Sequence, residues 1–147
     1  MSLAVVYSRA SLGIAAPQVT VEVHLSNGLP AFNMVGLPET SVKESRDRVR
    51  SALLNGNFEF PSKHITVNLA PADVRKTGPV YDLPLLLAVL SSAGQIEPPP
   101  EEAAFLGELA LDGSLRPVSG VLPMALTAAA SGVQALYVPA ENAAEAA

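Results

Sequence analysis

The spacing of apolar and polar residues predicts several β-strands in the first half of the chain. Apolar residues occupy every second position over residues 19–25, which is the pattern of a strand with one buried face. The Asn-Gly pair that follows favours positive φ and predicts a hairpin whose returning strand is residues 31–36. Residues 3–8 and 64–69 are predicted to be two further strands.

A helix is predicted to follow these first strands. Ser41 and Glu44 have the spacing of a capping box, which satisfies free amides at a helix start, so we expect a helix over residues 41–55. Its apolar positions recur at helical spacing and define a stripe that should be buried. The stripe consists of Val42, Val49, Ala52 and Leu53.

The second half of the chain adds two helices, a hairpin and a strand. Asp82 is predicted to be the N-cap of a helix that is apolar on nearly every side, and residues 121–130 form another helix. An Asp-Gly turn joins residues 105–111 to residues 115–118 in a second hairpin, and residues 135–138 are the last strand. This mixture of hairpins and crossovers predicts an α+β (mixed α/β) fold, a mixed sheet packed with about three helices.

Length and composition limit the class of protein. A chain of 147 residues with 49% apolar and 16% charged residues is expected to be one globular domain over residues 1–147. It contains no cysteine, which excludes disulfides and thiolate metal sites and fits a cytoplasmic protein. The longest apolar run, residues 83–90, is far shorter than the ~20 residues that span a bilayer, so no membrane partner is expected.

Two groups of cations are candidates for contact with DNA or a protein partner. The net charge of −5 disfavours general nucleic-acid binding, so any such contact must be local. Lys43, Arg46 and Arg50 share one face of the first predicted helix. Arg75 and Lys76 precede a helix N-terminus, where an anion is stabilised. The competing interpretation is a solvated surface on which Glu39 pairs with Lys43 and Glu44 with Arg48.

Motifs for nucleotide and metal binding are missing from the sequence. The Lys-Thr pair at residues 76–77 precedes its glycine, whereas a phosphate-binding loop needs glycines before the lysine. The glycines are also too widely spaced for a dinucleotide fingerprint. His24 and His64 are isolated within predicted strands, so no metal is assigned. We therefore expect no cofactor and no ATP hydrolysis in this chain alone.

Several segments together resemble one protein family. Residues 68–85 are similar to the signature NLAPAD-x-x-K-x-G-x-x-x-DLP of the ComM/YifB proteins, which are magnesium-chelatase-like AAA+ proteins. Residues 35–49, 107–118 and 138–142 resemble other parts of the same proteins, so the likeness covers nearly the whole chain. The resemblance implies a fold like domain two of ribosomal protein S-five, shared with the protease domain of Lon and the C-terminal domain of RadA.

The resemblance also implies a larger parent protein. In that family this domain precedes an AAA+ ATPase module, which needs ATP and magnesium, and a magnesium-chelatase-like C-terminal segment. The parent assembles as a hexameric ring and acts on DNA as a branch-migration helicase in natural transformation, or competence. A regulatory domain of a magnesium-chelatase-type ATPase is the alternative within the same family.

The likeness to Lon raises the question of peptidase chemistry. Lon uses a serine nucleophile that is activated by a lysine base. Alignment of the corresponding motifs places Val80 at the nucleophile position and Leu122 at the base position, and neither side chain can transfer a proton. We therefore expect a non-catalytic interaction domain. The alternatives are a Lon-like Ser/Lys peptidase with a relocated dyad and a phosphate-binding enzyme of the GHMP-kinase type, whose phosphate loop has no counterpart here.

Overall fold

A six-stranded mixed sheet forms the centre of the protein, as seen in a computed structural model that describes residues 2–12 and 14–147. In chain order the strands are β1 (Ser2–Arg9), β2 (Gln18–Ser26), β3 (Ala31–Val35), β4 (His64–Ala70), β5 (Ala103–Phe105), β6 (Glu108–Leu109), β7 (Leu115–Arg116) and β8 (Ala135–Tyr137). The helices are α1 (Thr40–Lys43), α2 (Ser45–Asn55), α3 (Asp82–Ser92), α4 (Val121–Ala130) and α5 (Ala143–Ala146). Two 3-10 turns lie at Pro79–Tyr81 and Ala140–Asn142.

The sheet has the strand order β3-β4-β2-β1-β5-β8, and β6 pairs with β7 in a separate ribbon. The central strands β4, β2 and β1 are antiparallel, whereas β3, β5 and β8 each run parallel to their neighbours. The parallel neighbours β3 and β4, and likewise β5 and β8, are therefore joined by connections that contain helices. The predicted α+β class, with a mixed sheet and about three helices, is confirmed, because three helices have ten or eleven residues.

The core lies on one face of the sheet, beneath α2 and α3. Alternate residues of β2 are buried, as the period-two pattern predicts, and α3 packs across β1 and β2. The predicted stripe on the first helix is buried in full. The strand residues that complete this core are Val6, Val19, Val21, Val23, Ile65, Val67 and Leu69.

The predicted pairing of the first hairpin is wrong. Residues 31–36 do contain a strand, but β3 pairs with β4 and not with β2. Both edges of β2 are already occupied, by β1 over eight residues and by β4 over seven. The hairpin is formed instead by β1 and β2, and the Asn27-Gly28 turn only redirects the chain towards the sheet edge.

The predicted helix bounds are correct in one case and need correction in two. The helix at residues 121–130 is confirmed with the same bounds. The helix predicted over residues 41–55 is divided at Glu44 into α1 and α2, and no capping box forms. Ser41 instead accepts a hydrogen bond from the backbone NH of Gly78, at 3.0 Å. Asp82 is the first residue of α3 and caps nothing, because its carboxylate has partners elsewhere in the fold.

The second predicted hairpin is confirmed at residues 108–116, where Leu109 lies opposite Leu115. The predicted strand over residues 105–111 is divided, however. Its beginning belongs to β5, which lies in the main sheet between β1 and β8, and only Glu108–Leu109 pairs with β7.

Candidate functional site

Lys76 lies inside the protein and not on the predicted contact surface. Its side chain is 0% exposed, and its ammonium group donates to the carbonyl oxygen of Gly36 at 2.7 Å and to that of Pro71. Burial lowers the pKa of Lys76 from its usual value. Its backbone also bonds to the segment after β3, at Leu37 and Glu39. Lys76 therefore joins two loops, and a buried ammonium is unavailable to DNA in this conformation.

Asp82 is a second buried charge that ties elements together. One carboxylate oxygen accepts hydrogen bonds from the hydroxyl of Ser45 and from Nη2 of Arg48 at 3.1 Å. The other accepts from Nε of Arg48 at 2.6 Å and from the backbone NH of Leu109 at 3.0 Å. Burial disfavours the charged form of Arg48, but Asp82 together with Glu108 and Glu44 favours it, so the pKa of Arg48 is raised. The cluster holds α2, α3 and β6 together.

Asn142 forms a third polar link, near the C-terminus of the chain. Its side-chain oxygen accepts from the backbone NH of Val118 at 3.0 Å, and its amide NH₂ donates to the carbonyl oxygen of Val118 at 3.0 Å. No sequence pattern predicts this role for Asn142. Lys76, Asp82 and Asn142, here called the buried links, all belong to the segments that carry the family resemblance, so these motif residues hold the domain together.

Val80, which the motif alignment matches to the Lon nucleophile, lies beside a cleft of about 380 Å³. Val80 lies in its wall within the 3-10 turn and is buried, whereas Leu122 is 49% exposed near the start of α4. The polar side chains that line the cleft are Ser11, Thr77, Glu108 and Ser119.

No lysine or histidine of the described chain lines this cleft. Lys76 is engaged with the two carbonyl groups, and Lys63 donates to the side-chain oxygen of Asn27 at 3.2 Å. Lys43 is exposed on α1. None of the three lysines in the sequence therefore pairs with a serine, as a relocated Ser/Lys dyad would require.

Three of the predicted contact residues, which belong to α1 and α2, line one groove. Lys43, Arg46 and Arg50 are exposed, and they face the beginning of β3 and the segment before β4 across two adjoining depressions of about 370 and 360 Å³. Arg75 is exposed elsewhere and pairs with Glu39 at 3.1 Å. We call this surface the basic groove, and its defining residues are Phe32, Lys43, Arg46, Arg50, Phe60 and Lys63.

No sequence pattern predicted that Phe32, Phe60 or Lys63 would lie in this groove. They lie 10 or more positions from the helical cations and join them only through the pairing of β3 with β4. Of the two side-chain pairs predicted for a solvated surface, Glu44 does contact Arg48, at 3.5 Å. Glu39 pairs with Arg75 instead of Lys43, which leaves Lys43 in the groove.

The part of the chain that the structure describes contains neither a metal cluster nor a membrane-spanning helix. No three His, Asp or Glu side chains converge there in a geometry that could hold a metal ion. No helix among the same residues has the length and apolar character needed to cross a bilayer.

Comparison with known proteins identifies close relatives. Residues 21–142 match the family model described as subunit ChlI of Mg-chelatase. The chain is 55% identical over 146 residues to a protein named YifB from Salmonella typhimurium, and 54% identical over 147 residues to competence protein ComM from Haemophilus influenzae. In both cases the match covers 99% of this chain but only 29% of the relative.

A more distant similarity extends to Lon. The chain is 32% identical over 105 residues to the Lon protease of Methanosarcina barkeri, which covers 69% of this chain and 13% of that protein. The comparisons therefore confirm the resemblance to ComM/YifB proteins that the motifs indicated, and the chain spans less than a third of the length of those relatives.

Proposed function

The chain belongs to the family of subunit ChlI of Mg-chelatase, and we propose that it is a non-catalytic assembly and interaction domain of a ComM-type AAA+ ATPase. The parent protein would act in DNA branch migration and natural competence. The name of the Haemophilus influenzae relative supports the competence role. ATP, magnesium and the hexameric ring are assigned to the parent, whose relatives extend well beyond the 29% that this chain covers.

The observation that carries the non-catalytic role is the pair of side chains that the motif alignment matches to the Lon nucleophile and base. Val80 and Leu122 occupy the positions of the nucleophile and the base. An alkyl side chain can neither attack a carbonyl group nor remove a proton, so the Lon mechanism has no chemical basis at these positions. No lysine or histidine among the described residues lines the cleft, so its hydroxyls lack the kind of base that Lon uses.

A labelling experiment separates this proposal from a Lon-like peptidase. The full-length protein would be treated with a serine-reactive phosphonate and analysed by mass spectrometry, with a Lon protease as positive control. We expect no labelled serine, because an unactivated hydroxyl reacts slowly. Stoichiometric labelling of Ser11 or Ser119, together with peptide hydrolysis, would establish a relocated peptidase site and contradict the proposal.

The assembly role is tested by the oligomeric state of the parent. Mass photometry of the full-length protein, with and without residues 1–147, would be carried out with a non-hydrolysable ATP analogue. We expect the shortened protein to bind nucleotide but to lose most of its hexamers. Unchanged hexamers with an altered rate of ATP hydrolysis would support the regulatory alternative. Unchanged hexamers and an unchanged rate would contradict both roles.

A further inference from the structure

The basic groove concentrates positive charge on an acidic protein. Four of the nine lysine and arginine residues line it, namely Lys43, Arg46, Arg50 and Lys63, whereas Asp47 is the one carboxylate among its described lining residues. The chain as a whole has a net charge of −5. Because charges of one sign in a cleft raise the local potential, the groove favours an anionic ligand over the rest of the surface.

None of the four groove cations forms an ion pair with another described residue of the domain. In the described part of the chain, the ion pairs formed by arginines involve Arg48 and Arg75, and both lie outside the groove. Lys63 donates to a neutral amide oxygen of Asn27. Arg46 and Arg50 are one helical turn apart and so repel each other slightly, which an anion placed between them would relieve. The groove therefore has both the charge and the free donors to bind a chain of anions.

Aromatic rings form the apolar part of the groove. Phe32 and Phe60 are stacked with their ring centroids 6.4 Å apart and an angle of 28° between their planes. The guanidinium group of Arg46 lies over Phe32, with its central carbon 6.0 Å from the ring centroid. Both rings are half-buried, so part of each remains accessible. A ligand for this groove should therefore carry flat, polarisable groups beside its negative charges.

A single strand of nucleic acid meets both requirements. Proteins that bind single strands combine a cationic groove for the backbone with aromatic side chains on which the bases stack. Arg46 and Arg50 are spaced by about 6 Å along α2, given a rise of about 1.5 Å per residue, so they can contact separate phosphates. In a duplex the faces of the bases are covered by their neighbours and cannot reach Phe32. An acidic peptide supplies the charges but offers few flat faces.

We infer that the basic groove is a binding site for single-stranded nucleic acid, with Lys43, Arg46, Arg50 and Lys63 on the phosphates and Phe32 and Phe60 beside the bases. The inference deepens the proposed function. It rests on that function in one respect, namely that nucleic acid is present near the domain. Because affinity is measured without ATP, peptide substrate or ring assembly, its failure is distinguishable from failure of the proposed function.

The test is fluorescence anisotropy of the 147-residue chain with a labelled oligothymidine and with a labelled duplex of the same length, across a series of salt concentrations. We expect the single strand to bind at least ten-fold more tightly than the duplex at low salt. The double variant Arg46→Glu, Arg50→Glu should weaken binding of the single strand at least ten-fold. It should also reduce the magnitude of the salt slope by roughly 1.4, the value for two phosphate contacts on a single strand.

Three further variants define the controls. Phe32→Leu keeps an apolar side chain but removes the ring, and should weaken single-strand binding several-fold with the salt slope unchanged. Arg75→Glu, Arg116→Glu makes the same change in net charge at exposed positions outside the groove, and should change affinity less than two-fold. Lys43→Glu, Lys63→Glu repeats the charge reversal on the groove without altering α2, in case the arginine double variant fails to fold.

Four results would overturn the inference. The first is no binding at low salt, and the second is an equal loss of affinity in the groove and control double variants. The third is equal affinity for duplex and single strand with no effect of Phe32→Leu. The fourth is equally tight binding of polyglutamate that the groove variants also abolish. The last result would reassign the groove to an acidic protein partner.

Discussion

The buried links and the basic groove use the same residue types in opposite environments. Lys76 and Arg48 are enclosed and bonded to carbonyl or carboxylate oxygens, whereas Lys63 and Arg46 lie in an open groove beside aromatic rings. Lys76 and Asp82 lie in the motif that carries the family resemblance, yet they are inaccessible. Lys76 and Asp82 therefore stabilise the fold, whereas Arg75 of the same signature and the cations of the basic groove are exposed.

Removal of Asp82 should have the largest effect on stability. Asp82→Ala leaves Arg48 partly buried without its carboxylate and the backbone NH of Leu109 without an acceptor. Loss of one partner from a buried ion pair costs about 3–5 kcal/mol, so we expect a fall of that size in the free energy of unfolding. Urea denaturation measures it. As a control, Asp47→Ala on the exposed side of α2 should change the value by less than about 0.5 kcal/mol.

Gly36→Ala should disturb the loop that encloses Lys76. Gly36 has a φ of 107°, and a Cβ there would overlap the carbonyl oxygen of Leu69 in β4. We expect a loss of about 2–4 kcal/mol on denaturation, from the strained φ and the overlap together. Gly132→Ala isolates the first cause, because Gly132 has a φ of 85° and a Cβ there meets nothing within 4 Å. A loss at Gly36 no larger than at Gly132 would mean that the close approach is unimportant.

Lys76 should make stability depend on pH. Its pKa in the folded protein is lowered below the ordinary value of 10.5, so the cost of burying its charge is fully present below the folded pKa. Between that pKa and 10.5 the unfolded chain binds the proton more readily, and the contribution of Lys76 to stability therefore improves as pH rises. As pH rises, the unfolding free energy of the unaltered protein should therefore increase relative to that of Lys76→Met.

Denaturation of both proteins at neutral pH and at several values up to 10.5 checks this shift. The pKa of the buried Tyr81 is raised, which weakens the fold at alkaline pH, but that effect is common to both proteins and cancels in the difference. A difference that does not vary with pH would place the folded pKa of Lys76 at its ordinary value.

The smallest effect on stability is expected in the basic groove. Arg50→Glu replaces a repulsion from Arg46 with an attraction but also an attraction to Asp47 with a repulsion, so the free energy of unfolding should change by less than about 0.5 kcal/mol. The same variant should weaken binding of oligothymidine in the anisotropy assay. A substantial loss of stability would show that Arg50 has a structural role, and would remove the contrast with the buried links.

Local patterns predicted the elements of this fold better than their pairing. The helix at residues 121–130 and the buried stripe on α2 follow directly from apolar spacing. The position of β3 could not be read in the same way, because a turn signal between two strands does not reveal that β4 lies between them. The pairing of β3 depends on which strands occupy the two edges of β2. Those strands are selected by contacts between residues that are distant in sequence.

The candidate site was harder to predict, because the sequence alone does not show whether a charged side chain is buried or exposed. Lys76 follows Arg75 directly, yet Arg75 is exposed and Lys76 is enclosed, since the loop at residues 36–39 covers it. Asp82 has the sequence context of an N-cap, but α2 and β6 supply stronger partners. Phe32 and Phe60 join the groove only when the sheet is assembled. Only the shared face of Lys43, Arg46 and Arg50 was visible as helical spacing.

The central claim, that charged residues of the family motif act as structural links, is tested most directly by a double-mutant cycle on Arg48 and Asp82. The free energy of unfolding would be measured by urea denaturation for Arg48→Ala, Asp82→Ala and the double variant. We predict a coupling energy of about 1.5–3 kcal/mol, because either single change removes the same buried interaction. Additive losses, with a coupling energy near zero, would contradict the account and mean that Asp82 serves another purpose.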